Sequence, residues 1–457
     1  MRQHKSFIID DCIQVMINLL IFAEKFGNMK NIKIIVLAAL SILPFLSYGQ
    51  WDKYFENKGL RIDYSHSGRQ GVDYFTINQM KEIPYYSGSR KNLIDRTDNG
   101  AYLISLYEKD SQKLIFSKGV SSLFNEWLSM DEATKMCGNF EEVITVPCPK
   151  EDIQVEIAFS VRDSVNNFKE VARYEIDKNE IRPIDFFFKK AKPSKPHLIK
   201  LNETGRTVDK RVDLVLIPVG YTEEDKEKMM RDLEKMAGYM FSEEPYKSLK
   251  DKIEITAVER YAKESGIGGL KDSEVKNSDL GVEYNTFGSP RYIMTRNLWE
   301  LYDVVDLVPC DAIIMVCNSD TYGGGGIYNY YATCYMGDRS KEVIVHEFSH
   351  SFAGLGDEYS ENDSQAGMSS VKAEPYEDNI TTLVDFSKKW GYMMDKDTPV
   401  PTPQTKEYEN KVGVFEGASY ISKGFYRPYQ HCMMRDLTPF CPVCTKSIQN
   451  MVNLYCE

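Results

Sequence analysis

The stretch VIVHEFSHSFAGLGDEY, residues 343–359, sets His346 and His350 four positions apart with Glu347 between them in an apolar run. On a helix, positions i and i+4 lie about 40° apart around the axis, so both imidazoles reach a single ion. Neutral imidazole is a preferred zinc ligand, and three protein ligands with a fourth position left open make a catalytic rather than a structural site. Glu347 lies about 100° further round, near such an ion without binding it. From there a carboxylate takes a proton from a metal-activated water and passes it to a leaving amine. The pattern therefore reads as two ligands, His346 and His350, and a general base, Glu347. The competing reading is a pair of hydrogen-bonded helix histidines.

The third ligand has to come from nearby chain. The helix is expected to open at Ser340 as N-cap, with Glu342 in its first turn, and to break at Gly354 and Gly356. Asp357 and Glu358 arrive where the chain turns back. Two acids at a helix C-terminus oppose the helix dipole, and a bound cation would account for them. Asp357 is the expected third ligand on reach; Glu358 and the more distant Glu374, Glu377 and His431 are the alternatives.

Two further stretches bear on the same site. DTYGGGGIYNYYATCY, residues 320–335, contains Gly324, Gly325 and Gly326 and lacks the Lys-Ser or Lys-Thr that closes a phosphate loop. It is expected as an edge strand above the helix, where small residues let a substrate backbone add a strand, with a flexible loop as the other reading. YRPYQHCMMRDLTPFCPVC, residues 426–444, places Met433 and Met434 between cysteines. A methionine there can floor a metal site, and ordinary core packing is the alternative. Tyr426 offers a hydroxyl to a tetrahedral oxyanion.

These residues need a scaffold. The chain has 457 residues, 42% apolar and 27% charged, enough for two or three domains. Net charge is -12 and no Lys/Arg block carries interleaved aromatics, which excludes a nucleic-acid backbone as a natural partner. Residues 29–49 have the outline of a secretory signal peptide: a lysine-bearing start, an apolar run from Ile34 to Leu46, and Ser47 and Gly49 before Gln50. That run is too short for stable membrane insertion. Residues 1–28 precede a second methionine with the better signal and are expected to be a mis-assigned leader. Export favours disulfides, and Cys432, Cys441, Cys444 and Cys456 form an alternative structural zinc set.

Short alternating runs such as LRIDYSH, AYLISLYEK and IQVEIAFSVR predict an antiparallel β-sandwich over residues 51–188. The basic, proline-punctuated stretch at 189–204 is expected to be a linker. From 205 to 457 the pattern turns to strand, helix, strand, which predicts a mixed sheet with helices on its faces, an α/β catalytic domain. The fold class is thus multidomain.

At this point the chain resembles the IgA-peptidase family of zinc metallopeptidases, peptidase family sixty-four. HEFSHSFAGLGDEY, YGGGGIYNYYAT, FYRPYQHCMMR, FCPVC and, near the mature start, WDKYFENKGLRIDYSHSG carry the resemblance. It implies a secreted zinc (Zn2+) endopeptidase of metzincin-like fold, with a β-sandwich before the catalytic domain and Met433 or Met434 in a methionine turn. The third ligand departs from the metzincin spacing by one residue. The implied partner is a protein or peptide substrate; the family name points to host glycoproteins such as immunoglobulin, and nothing in this sequence shows IgA specificity. Two other functions fit the same residues: a carbohydrate- or protein-binding surface module with an inactive zincin-like domain, and a zinc amidase.

Overall fold

The computed structural model describes residues 50–183, 197–270, 276, 279–360 and 373–457. The expected leader and signal peptide lie outside these residues. Among the described residues no helix is long and apolar enough to cross a membrane.

The N-terminal part is β-rich: β1 (Phe55–Arg69), β2 (Val72–Ile83), β3 (Tyr102–Glu108), β4 (Lys113–Val120), β5 (Gly138–Pro149), β6 (Val155–Arg162), β7 (Phe168–Glu175) and β8 (Ile181–Pro183). They form two four-stranded sheets, β5-β1-β2-β8 and β4-β3-β6-β7. All pairings are antiparallel except β2 with β8. The sheets meet through rings that alternation sends to one face: Tyr64 and Phe75 lie 5.1 and 4.7 Å from Phe159. Such aromatic pairs each contribute about 0.5–1.5 kcal/mol beyond area burial.

Alternation along β1 also predicts a solvated face, and there the structure differs. Arg61 and Asp63 are fully buried. A short helix follows β4 as α1 (Leu123–Trp127), and the C-terminal part supplies α2 (Lys226–Met240) and α3 (Leu298–Val305). Arg61 donates to Asp63 at 2.6 Å, to Asp303 in α3 at 2.7 Å and to Asp306 just beyond it at 2.6 Å. The second face of β1 is thus docked on the C-terminal part through a buried ionic cluster. Removing one partner from such a cluster costs about 3–5 kcal/mol because the other charge stays buried.

The expected linker over 189–204 needs correction at its end. Residues 189–196 lie outside the described set, and Leu198–Asn202 form β9, antiparallel to β11 (Ile253–Val258). Edge pairing captures this segment despite its basic composition. The remaining strands are β10 (Val212–Val219), β12 (Ala312–Cys317), β13 (Gly324–Ile327) and β14 (Tyr331–Cys334), in the order β13-β14-β12-β10-β11-β9. The four inner strands are parallel, and β9 and β13 are antiparallel edges. Every residue of central β10 is buried, as a near-continuous apolar run in a covered parallel sheet should be. A capping box of Thr222 and Asp225 opens the turn leading into α2.

The helix with the His-Glu-x-x-His pattern is α4 (Ser340–Ala353). Its N-cap is Arg339 at φ 65°, so Ser340 is its first residue rather than its cap. It ends at Gly354, φ 64°, whose N–H reaches the His350 carbonyl. The C-terminal part closes with the hairpin β15 (Phe415–Ala418) and β16 (Ile421–Arg427), then α5 (Met433–Asp436) and α6 (Pro442–Cys456). All nine described cysteines are free thiols, so the disulfides expected from export are not formed.

Candidate metal centre and cleft

Helix α4 packs against β13 and β14 at unusually short range. A Cβ on Gly326 would lie 2.1 Å from the Glu347 carbonyl oxygen, and one on Gly324 3.2 Å from Glu347 Cγ. The glycines are therefore small because the helix needs the space; any larger residue would push Glu347 off the strand. As expected from sequence, Gly324, Gly325 and Gly326 lie in an edge strand over this helix.

His346 and His350 face one point. Their Nε2 atoms are 3.0 Å apart, and Asp357 Oδ1 stands 3.2 Å from the first and 3.3 Å from the second. The other ring nitrogens are committed: His346 Nδ1 is 2.9 Å from the Met433 carbonyl and His350 Nδ1 is 2.5 Å from the Leu355 carbonyl. A carbonyl only accepts, so each Nδ1 carries a proton, and each Nε2 is left facing Asp357, where it holds either a second proton or a metal ion. Asp357 Oδ1 is buried and has no partner other than these two rings. Three lone-pair donors meeting at such distances repel one another unless positive charge lies between them. For zinc at about 2.0–2.1 Å from each ligand a tetrahedral edge is roughly 3.3 Å, and the triangle fits that size.

The electrostatics agree. Burial alone would depress His350, but the Asp357 carboxylate outweighs it and carries the imidazole up to about 9. His346 is raised by the same carboxylate against the same burial penalty. Asp357 falls well below the usual carboxylate range: the two imidazoles overcome the desolvation that would raise it. The site thus favours positive charge, which a divalent cation supplies by displacing protons. Burial pushes Glu347 above the usual carboxylate range.

The other ligand alternatives lie elsewhere. Glu358 turns away and accepts from Cys444 Sγ at 3.0 Å. His431 pairs with Asp436 at 2.5 Å, Glu374 accepts from Thr382 and the Asp385 amide, and Glu377 lines the cleft wall. Met433 and Met434 are buried and meet the site through their backbones: the Met433 carbonyl orients His346 and the Met434 carbonyl accepts from the Glu358 amide at 2.7 Å.

Tyr426 requires correction. It does not line the cleft, and β16 ties its backbone to Thr381 at 3.0 and 2.8 Å. Among the tyrosines that line the cleft, Tyr420 donates its hydroxyl to Asp357 Oδ2 at 2.5 Å and accepts from the Tyr359 hydroxyl at 3.0 Å. Tyr420 sits at the hairpin tip, where Ser419 and Tyr420 both have positive φ, 51° and 64°. A Gly or Asn in that turn would have flagged it in the sequence; Ser-Tyr does not. Asn379, fully buried, was missed as well. Its amide clamps the turn before Asp357, accepting from the Gly356 amide and donating to the Gly356 carbonyl, both at 2.8 Å.

The cleft over the triangle has a volume of about 940 Å³. The N-terminal part supplies one wall, with Ser121, Asn125, Glu126 and Ser129. Glu126 accepts from the Tyr292 hydroxyl, and burial carries its carboxyl up to about 7. Sequence patterning treats the sandwich as a separate unit and gives no sign of this shared wall.

An imidazole pair and a carboxylate around one point, with a second carboxylate beside them in an open cleft, can hold a divalent cation next to a proton acceptor. Residues 199–410 and 404–452 match the family described as IgA Peptidase M64, and residues 50–173 match the domain described as Peptidase M64 N-terminus. The chain belongs to the IgA peptidase M64 family, a family of peptidases. Comparison with curated proteins gives no match.

Proposed function

We propose that the chain is an exported, zinc-dependent endopeptidase of metzincin-like fold. The observation that carries this reading is the triangle of His346 Nε2, His350 Nε2 and Asp357 Oδ1, with the Asp357 oxygen buried and otherwise unpartnered. Zinc held there would supply a Lewis acid that makes water a nucleophile near neutral pH and polarises the scissile carbonyl. His346 and His350 are pre-oriented for this by carbonyls of Met433 and Leu355, and Asp357 by Tyr420. Glu347, its affinity for a proton raised by burial, takes the proton from the attacking water and delivers it to the leaving amine.

An extended substrate fits the glycine edge. Arg291 and Ile293 occupy the outer side of Gly324, through its amide at 3.1 Å and its carbonyl at 3.2 Å. Strand alternation makes Gly326 the next residue on β13 with amide and carbonyl facing outward, directly above Glu347. A peptide lying there forms main-chain hydrogen bonds independent of its side chains, so the reading is an endopeptidase for protein or peptide substrates. The shared cleft wall makes the N-terminal domain part of substrate binding rather than an independent module. Export rests on the signal-peptide pattern at 29–49.

The test is hydrolysis of an unfolded protein by the purified chain, with cut sites read by mass spectrometry. Internal cuts that stop on chelation and return with zinc are expected. Cleavage unaffected by removal of metal, or no cleavage of any peptide by the zinc-loaded protein, would overturn the reading.

A further inference from the structure

One residue on from Asp357, Glu358 meets three cysteines in the core, making four potential metal ligands. Cys432, Cys441, Cys444 and Glu358 each offer a ligand atom, and these atoms all lie within 4.8 Å of one another. Cys432, Cys444 and Glu358 are 0% exposed and Cys441 2%. Cys441 and Cys444 have the C-x2-C spacing of a metal knuckle, with Cys441 at the N-cap of α6. Helix N-termini favour thiolate over thiol.

Two of the sulfurs accept hydrogen bonds from backbone amides. The Cys444 amide donates to Cys441 Sγ at 3.4 Å, and the Cys441 amide donates to Cys432 Sγ at 3.4 Å. Cys444 Sγ and Glu358 Oε1 are 3.0 Å apart, and Asn379 Nδ2 donates to the same oxygen at 3.0 Å. Glu358 Oε2 is buried with no hydrogen-bond partner. The Arg427 guanidinium acts on Glu358 through its charge, but among the described residues no Lys or Arg stands within salt-bridge distance of it. A disulfide does not resolve this arrangement: it joins two of the three cysteines and leaves a thiol and a carboxyl buried together. A divalent cation satisfies all four groups at once.

We propose that Cys432, Cys441, Cys444 and Glu358 form a second, closed metal site that takes zinc or a similarly thiophilic divalent cation. Four protein ligands with no open position make it structural rather than catalytic. Its position gives it a task. Glu358 follows Asp357, and Cys432 precedes Met433, whose carbonyl orients His346. A cation bridging Glu358 and Cys432 therefore fastens the turn that carries Asp357 to the segment that orients His346. This proposal does not depend on the peptidase reading, because it involves none of the residues of the triangle.

The test is cobalt(II) exchanged into the full chain and followed by absorption. Sulfur ligation gives an intense thiolate-to-cobalt charge-transfer band in the near ultraviolet, which two imidazoles and a carboxylate cannot produce. The band is expected in the parent and in His350→Ala, and is expected to be lost in Cys441→Ser and Cys444→Ser. Because those serine variants can fail to fold, the parent decides. Cobalt bound without the band, or denaturing alkylation showing two of these three cysteines already joined as a disulfide, would overturn the proposal.

Discussion

Asp357 and Glu358 are consecutive residues whose carboxylates serve opposite sides of one turn: Asp357 Oδ1 stands 3.2 Å from His346 Nε2, and Glu358 Oε1 stands 3.0 Å from Cys444 Sγ. The pair of acids that looked unfavourable at a helix C-terminus is thus split between two clusters. Gly354 ends the helix and the Asn379 amide fixes the turn, so the direction of each side chain is set by backbone rather than by the acids themselves.

Tyr420→Phe removes the hydroxyl that donates to Asp357 Oδ2 at 2.5 Å while keeping the ring. Partners that orient a ligand typically contribute about 10- to 100-fold in metal affinity or activity. A loss of that size is expected in zinc affinity, read by competition with a chromophoric chelator. Tyr426→Phe should leave affinity at the parental value, since Tyr426 does not line the cleft.

Two glycine substitutions should act in opposite directions. In Gly326→Ala the new methyl meets the Glu347 carbonyl oxygen at 2.1 Å, a backbone atom that cannot swing aside. A loss of about 1–3 kcal/mol is expected from overpacking, together with reduced cleavage. Gly238→Ala, on the exposed face of α2 with nothing within 4 Å of the new Cβ, should gain about 0.5–1 kcal/mol from helix propensity. Denaturant unfolding of the two variants beside the parent checks both signs.

Most of the scaffold was legible in the sequence because the patterns that encode it are local. The strand, helix, strand pattern after residue 205 predicts the mixed sheet, and the four-residue spacing in an apolar segment predicts α4 with its two imidazoles on one face. Asp357 followed from the glycine break. What escaped was set by tertiary contact: β9 is a strand only because it has an edge to pair with, and the polar side of β1 is buried only because α3 covers it. Tyr420 reaches Asp357 from 63 positions away on a turn that has neither Gly nor Asn at its positive-φ positions. The disulfide expectation followed from compartment, whereas Cys432, Cys441 and Cys444 are grouped by geometry around Glu358.

Glu126 should make stability pH-dependent. Its carboxyl is raised by burial from 4.5 to about 7, so the folded state holds a proton that the unfolded state releases earlier. The resulting stabilisation is fully present below about 4.5 and is lost as pH rises to about 7. In chelator, the stability of the parent relative to Glu126→Gln should therefore fall across that window. A constant difference between the two would assign Glu126 an ordinary pKa.

The most direct measurement is cleavage of an unfolded protein by Glu347→Gln, with metal content determined on the same samples. Glutamine keeps the shape of the side chain but cannot accept the proton. The variant should retain the parental metal and lose cleavage by at least about 100-fold, the lower end of what a positioned general base contributes. Cleavage at the parental rate by a metal-replete variant would contradict the assignment of Glu347 and, with it, the mechanism proposed for this site.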